Sequence, residues 1–162
     1  MATNSNIFRE SILSALLPVF RAKGFETWKP KGRSETPIVH LRRRIANRRD
    51  LIDIQFDKYG RFGCFVNLAQ IEGDEVATMY EGVLPADQIQ TGHLTERCRL
   101  RGNSLFEMFK PPLYLRLLKP ARLGEVVAQE ILSRFNEAEE WFTSKRIGKH
   151  IRCRKLSPNA IA

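Results

Sequence analysis

Apolar and polar residues alternate from Leu51 to Phe56, break at Lys58-Tyr59-Gly60, and alternate again from Phe62 to Leu68. A period of two marks strands that keep one face in a core. The stretch before them, Ile38 to Ile45, alternates in the same way. A four-residue loop, Asn47-Arg48-Arg49-Asp50, would set Ala46 opposite Leu51, Ile45 opposite Ile52, Arg43 opposite Ile54 and Leu41 opposite Phe56. One side of the ribbon then reads Val39, Leu41, Ile45, Ile52, Ile54 and Phe56, with Arg43 as the intruder. The other reads His40, Arg42, Arg44, Asp53, Gln55 and Asp57. A three-residue loop ending in Gly60, where positive φ is wanted, places Asp57 opposite Arg61 and Ile54 opposite Cys64. Phe62, Cys64, Val66 and Leu68 continue the apolar side; Gly63, Phe65 and Asn67 continue the polar one. A one-residue slip would mix the two sets, which supports the pairing.

Helical spacing appears at both ends. From Asn6 to Lys23, Ile7, Phe8, Ile12, Leu16, Val19 and Phe20 recur at steps of three and four, the stripe of an amphipathic helix. Asn4 or Ser5 can cap its start, Gly24 suits a left-handed end, and Pro18 predicts a kink. Phe25 to Trp28 suits a short strand before a loop rich in Pro and Gly. From Arg122 to Thr143, Leu123, Val126, Val127, Ile131, Phe135, Ala138 and Phe142 repeat the helical stripe, with five glutamates on the wet side. Between Glu72 and Thr95 the chain is acidic and irregular, and a further strand fits near Cys98. These elements predict an α+β fold: an antiparallel sheet of three to five strands packed by N-terminal and C-terminal helices. One domain spans 1–151, and 152–162 reads as a basic, flexible tail.

The chain of 162 residues is long enough for a real core, and its net charge of +9 is its one unusual global property. Such a balance favours acidic partners. Its three cysteines, Cys64, Cys98 and Cys153, are odd in number and far apart. That argues against a disulfide framework or a zinc ribbon and points to a reduced, cytoplasmic compartment. No window is long enough to span a bilayer, so no membrane partner is expected. The histidines are scattered, so neither a metal nor another cofactor is predicted. The acidic-x-Lys triplet of a restriction-type nuclease is missing, since Asp57-Lys58 are adjacent. No nucleophile has a base at hand in the sequence. No catalytic residue is assigned, and the chain reads as a binding protein rather than an enzyme.

Two surfaces are candidates. The polar side of the ribbon offers His40, Arg42, Arg44, Asp53, Gln55, Phe65 and Asn67, an aromatic among hydrogen-bonding groups that suits a protein partner. The plainer account of that side is cross-strand charge pairing, Arg44 with Asp53 and His40 with Asp57, each pair contributing roughly 0.2–1 kcal/mol. The alternative is nucleic acid, held by Arg48 and Arg49 at the hairpin tip and by Lys145, Arg146, Lys149, Arg152, Arg154 and Lys155 near the C-terminus. A solvated, mobile end is the plainer account there.

Lys23-Gly24-Phe25, Gln55, Phe65-Val66-Asn67-Leu68 and the run from Cys98 to Arg101 together resemble the bacterial "domain of unknown function 4304" family. The resemblance covers roughly 5–143, although Phe106 and Phe109 stand where members carry tryptophans. It implies a compact α+β domain with no established enzyme activity, similar to immunity-type proteins that bind a toxin. It carries over Gln55, Phe65 and Asn67 as binding rather than catalytic residues. A partner for so basic a chain would have to be acidic.

Overall fold

A computed structural model describes residues 3–30, 37–115 and 117–155. Helix α1 covers Asn4–Ala22 and α2 covers Pro120–Ser144. The strands are β1 (Glu26–Trp28), β2 (Ile38–Ile45), β3 (Arg48–Phe56), β4 (Cys64–Glu72), β5 (Glu75–Ala77), β6 (Val83–Pro85), β7 (Glu96–Leu100) and β8 (Ile151–Lys155). Six of them form one antiparallel sheet in the order β1-β2-β3-β4-β7-β8, while β5 and β6 pair separately. The α+β class stands, with one more strand in the main sheet than the upper expected number.

The cap of α1 is Thr3, not Asn4 or Ser5: its hydroxyl accepts from the Asn6 amide at 3.3 Å. Pro18 sits within a helix that continues on both sides of it. Gly24, at φ +84°, ends the helix as its lack of a Cβ allows. α1 and α2 lie side by side in the same direction. A Cβ on Gly124 would meet the Phe8 carbonyl at 2.7 Å, and about three turns further on the Phe20 and Phe135 rings stand 4.6 Å apart. Phe8, Ile12, Leu16 and Phe20 of α1 join Leu123, Val127, Ile131 and Phe135 of α2 over Leu41, Ile52, Ile54, Val66, Leu68 and Leu100 of the sheet. Each such side chain contributes roughly 1.5–3 kcal/mol by leaving water.

Both turns of the ribbon differ from expectation. Ala46 and Asn47 alone form the first, so Ile45 pairs with Arg48, Leu41 with Ile52 and His40 with Asp53. The second spans 57–63, pairing Phe56 with Cys64 and Ile54 with Val66, with Gly60 at φ +73°. The pairing sums are displaced by four and by two residues. Both displacements are even, so every side chain keeps its predicted face. The tight first turn forces Ala46 to φ +52°, where a Cβ is crowded. Ala46→Gly should therefore raise unfolding free energy by about 0.5–1 kcal/mol after the entropy glycine adds to the unfolded chain. Urea denaturation at neutral pH reads this directly, and a loss of stability would contradict it.

The C-terminal expectation changes more. Residues 152–155, expected in a flexible tail, belong to β8 at the sheet edge; 156–162 lie outside the described residues. Cys98 and Cys153 are opposite one another in the β7–β8 register and form a disulfide. This corrects the inference drawn from an odd cysteine count. With two of the three paired, the cysteines no longer point to a reduced compartment. The third, Cys64, is wholly buried, and burial above all pushes its thiol up to about 12. No described helix is long and apolar enough to cross a membrane.

Candidate functional site

The sheet face turned away from the helices carries the chemistry. Across it, Trp28, His40, Asp53, Asn67, Arg99 and Arg152 are successive register partners from β1 to β8. The middle of this row is not open. The chain between β6 and β7 folds back over it, and Ala86, Ile89 and Leu94 pack on Leu51, Ala69 and Ile71 as a second, smaller core. The sequence pattern shows only an irregular excursion in this stretch, which left the face beneath it expected to be exposed.

Asp53 anchors that cover. It is 3% exposed and accepts four hydrogen bonds: from His40 Nδ1 (2.8 Å), Arg42 Nη1 (2.9 Å), the Thr91 amide (3.0 Å) and the Thr91 hydroxyl (2.8 Å). Burial alone would raise its pKa, but the His40 hydrogen bond and then the Arg42 charge outweigh that and bring it from 3.8 to about 2. Arg42 also donates to the Ile89 carbonyl at 3.1 Å and stacks over Trp28, 4.6 Å from the ring centroid. Of the residues proposed for a protein partner, His40, Asp53 and Asn67 are therefore buried. Arg44 remains exposed at a cleft of about 390 Å³ near Trp28, shared with Glu26, Arg49 and Asp87. The expected pairs Arg44–Asp53 and His40–Asp57 do not form, because the shorter turn moves each partner by four residues.

The other flank of the face stays open. Gln55 is exposed and Phe65 half-buried. Arg99 donates to the Asn67 side chain at 3.0 Å and lies 4.4 Å above the Phe65 ring. Beside it, the Glu107 carboxylate accepts from Arg152 at 2.6 Å, with Arg154, Arg99 and Arg101 at 3.6, 3.7 and 3.9 Å. Glu107 is itself only 4% exposed and held at φ +64°. Burial opposes its charge, but Arg152, Arg154 and Arg99 more than compensate, so its pKa falls below the usual carboxylate value. The Arg99 guanidinium is disfavoured first by burial, is favoured by Glu107, and is disfavoured again by Arg154, Arg97 and Arg152. Positive charge is thus concentrated here beyond what one carboxylate neutralises.

Of the residues named for nucleic acid, Arg152 and Arg154 belong to this cluster, and Lys155 lies at the end of the same strand opposite Glu96. The rest do not join it. Arg48 donates to buried Asp50, and Arg49 to the Gly73 carbonyl and Asp74. Lys145 lies over the Trp141 ring, Arg146 pairs with Glu140, and Lys149 is exposed in the turn before β8. Arg97, Arg99, Arg101 and Glu107 were missed, although the signal was present. Arg97-Cys98-Arg99 and Arg152-Cys153-Arg154 share a period of two, with arginine on one parity. Among the described residues no group of His, Cys, Asp and Glu could hold a metal ion.

No family model matches the chain, and no curated protein or solved structure matches it.

Proposed function

We propose that this is a non-enzymatic binding domain whose ligand is nucleic acid, gripped through its phosphates on the open β4–β7–β8 flank. The supporting observation is the convergence of Arg99, Arg101, Arg152 and Arg154 on the single carboxylate of Glu107, next to Phe65. Guanidinium groups pair well with phosphate oxygens, and an aromatic beside them offers a stacking face for a base. The reading retains the nucleic-acid alternative but moves its centre from the hairpin tip and the turn after α2 to the sheet edge. A protein partner centred on His40, Asp53 and Asn67 is disfavoured, because all three are buried, with Asp53 engaged by Thr91 and His40, and Asn67 by Arg99.

Fluorescence anisotropy with labelled DNA and RNA oligonucleotides tests it. Binding should weaken steeply with salt, since neutralising phosphates releases counterions. Arg152→Ala/Arg154→Ala should lower the slope of log K against log salt by about two, one for each phosphate that these arginines would otherwise neutralise. Both side chains are more than half exposed, so the fold should survive their removal. Absence of binding even at low salt would remove the reading, and the flank would then be assigned to an acidic protein.

A further inference from the structure

A different surface carries the most unexplained apolar exposure. The connection between β7 and α2 leaves Leu105 and Leu117 99% exposed, Tyr114 81%, Phe106 76% and Leu113 70%. A side chain at 99% touches almost nothing of its own protein, so these residues project. The connection is nevertheless anchored. Phe109 is fully buried and exchanges backbone hydrogen bonds with Cys64 at 2.9 and 3.0 Å, and Leu115 packs on the main core. Water-soluble surfaces rarely show so many large apolar groups on one short stretch without a use for them.

Basic side chains surround it, and the acidic ones nearby are engaged. Lys110 lies between the exposed pairs in sequence, Lys119 follows Leu117, and Arg122 stands in the first turn of α2. The β3–β4 turn reaches the same end, since Gly63 lies against Met108 and Lys110. It brings Tyr59, 69% exposed, with Lys58 and Arg61 over its ring. The acidic groups here are engaged: Glu107 points into the arginines, Glu125 pairs with Arg122 at 2.6 Å, and Asp57 accepts from the Tyr59 amide. Neither helix has an acidic residue in its first turn, and both start at this end.

We infer that this end docks on an anionic lipid surface. The projecting Leu105, Phe106, Leu113, Tyr114 and Leu117 enter the boundary between headgroups and acyl chains, while Lys58, Arg61, Lys110 and Lys119 lie at the phosphates. Apolar anchors plus a basic rim is the combination that binds such interfaces. Lysine and arginine stems can lie along the apolar groups with their charges outward. Such docking needs no membrane span. It does not rest on the nucleic-acid reading, although the arginines of that reading converge on Glu107, the residue after Phe106.

The test is co-sedimentation of the full chain with vesicles of phosphatidylcholine alone and of phosphatidylcholine with phosphatidylserine. Pelleting with the second and not the first is expected. Phe106→Asp/Leu117→Asp should abolish it; both positions are exposed, and circular dichroism checks that the fold is kept. Arg152→Ala/Arg154→Ala should still pellet while losing affinity for oligonucleotides, which separates the two readings. Failure to pellet, or pelleting unchanged by the aspartates, would overturn the inference. So would light scattering that shows a dimer broken by those same aspartates, since a second copy would then cover the patch.

Discussion

Asp53→Ala is expected to lower unfolding free energy by about 3–5 kcal/mol, the cost of breaking a buried ionic network from one side. The substitution strands Arg42, leaves the Thr91 amide and hydroxyl without their acceptor, and removes the partner of His40. Unsatisfied buried donors cost more than the bonds themselves contributed. Because Thr91 belongs to the cover, the damage should not stay local. Amide exchange at Thr91 should accelerate in step with the overall destabilisation, together with that of its neighbours in the second core. A destabilisation under about 1 kcal/mol, the scale of an exposed pair, would show that the network is solvated and the face open.

The same carboxylate sets an acid limit. Its pKa is depressed in the folded chain, from 3.8 to about 2. A depressed acid contributes stability that is complete above the unfolded value and is lost as pH falls through the folded one. The window therefore runs from about pH 4 down to about pH 2, and Asp53 contributes about 2 kcal/mol above it. Asp53→Asn should flatten that limb when denaturation is measured at pH 7, 4 and 3. A limb unchanged by the substitution would assign the acid sensitivity to other carboxylates.

How far the sequence reaches can be judged from these same residues. The faces of β2, β3 and β4 were legible because alternation is a parity signal, and parity survives an error in turn length. The turn lengths were not legible. Nothing in Ala46-Asn47 advertises a two-residue turn, since Ala46 is a poor residue for positive φ. The cover over Asp53 was also hidden, because Ala86, Ile89, Leu94 and Thr91 are spread through short 3-10 turns with no period to detect. At the C-terminus, alternation in Ile151-Arg152-Cys153-Arg154 competes with a strongly basic composition that suits a solvated tail. That composition drew attention to Arg152 and Arg154 but masked β8, and with it the pairing that sets them beside Arg97 and Arg99 of β7.

Parity cannot choose between registers that differ by an even number, so something else must choose here. Arg43 and Asp50 supply it. They are register partners on the core face, where Arg43 is 8% exposed and Asp50 fully buried. Arg43 donates twice to one Asp50 oxygen, at 2.8 and 3.0 Å, and also to Glu139 of α2 and to the Lys23 carbonyl after α1. Its guanidinium lies 4.3 Å from the Phe25 centroid. Asp50 also accepts from Gln70 at 2.7 Å. In the register that a four-residue loop would impose, Arg43 would face Ile54 and Asp50 would sit in a loop, leaving both charges without each other. Arg43→Met is therefore expected to cost about 3–5 kcal/mol, because Asp50 stays buried without its main counter-charge. Arg43→Met/Asp50→Asn should be the more stable of the two variants, since it removes that charge and keeps an acceptor for Gln70. A double-mutant cycle by urea denaturation should give a coupling of about 1–3 kcal/mol. Additive costs would mean that the pair does not hold the register, and the pairing of His40 with Asp53 would then have to hold it alone.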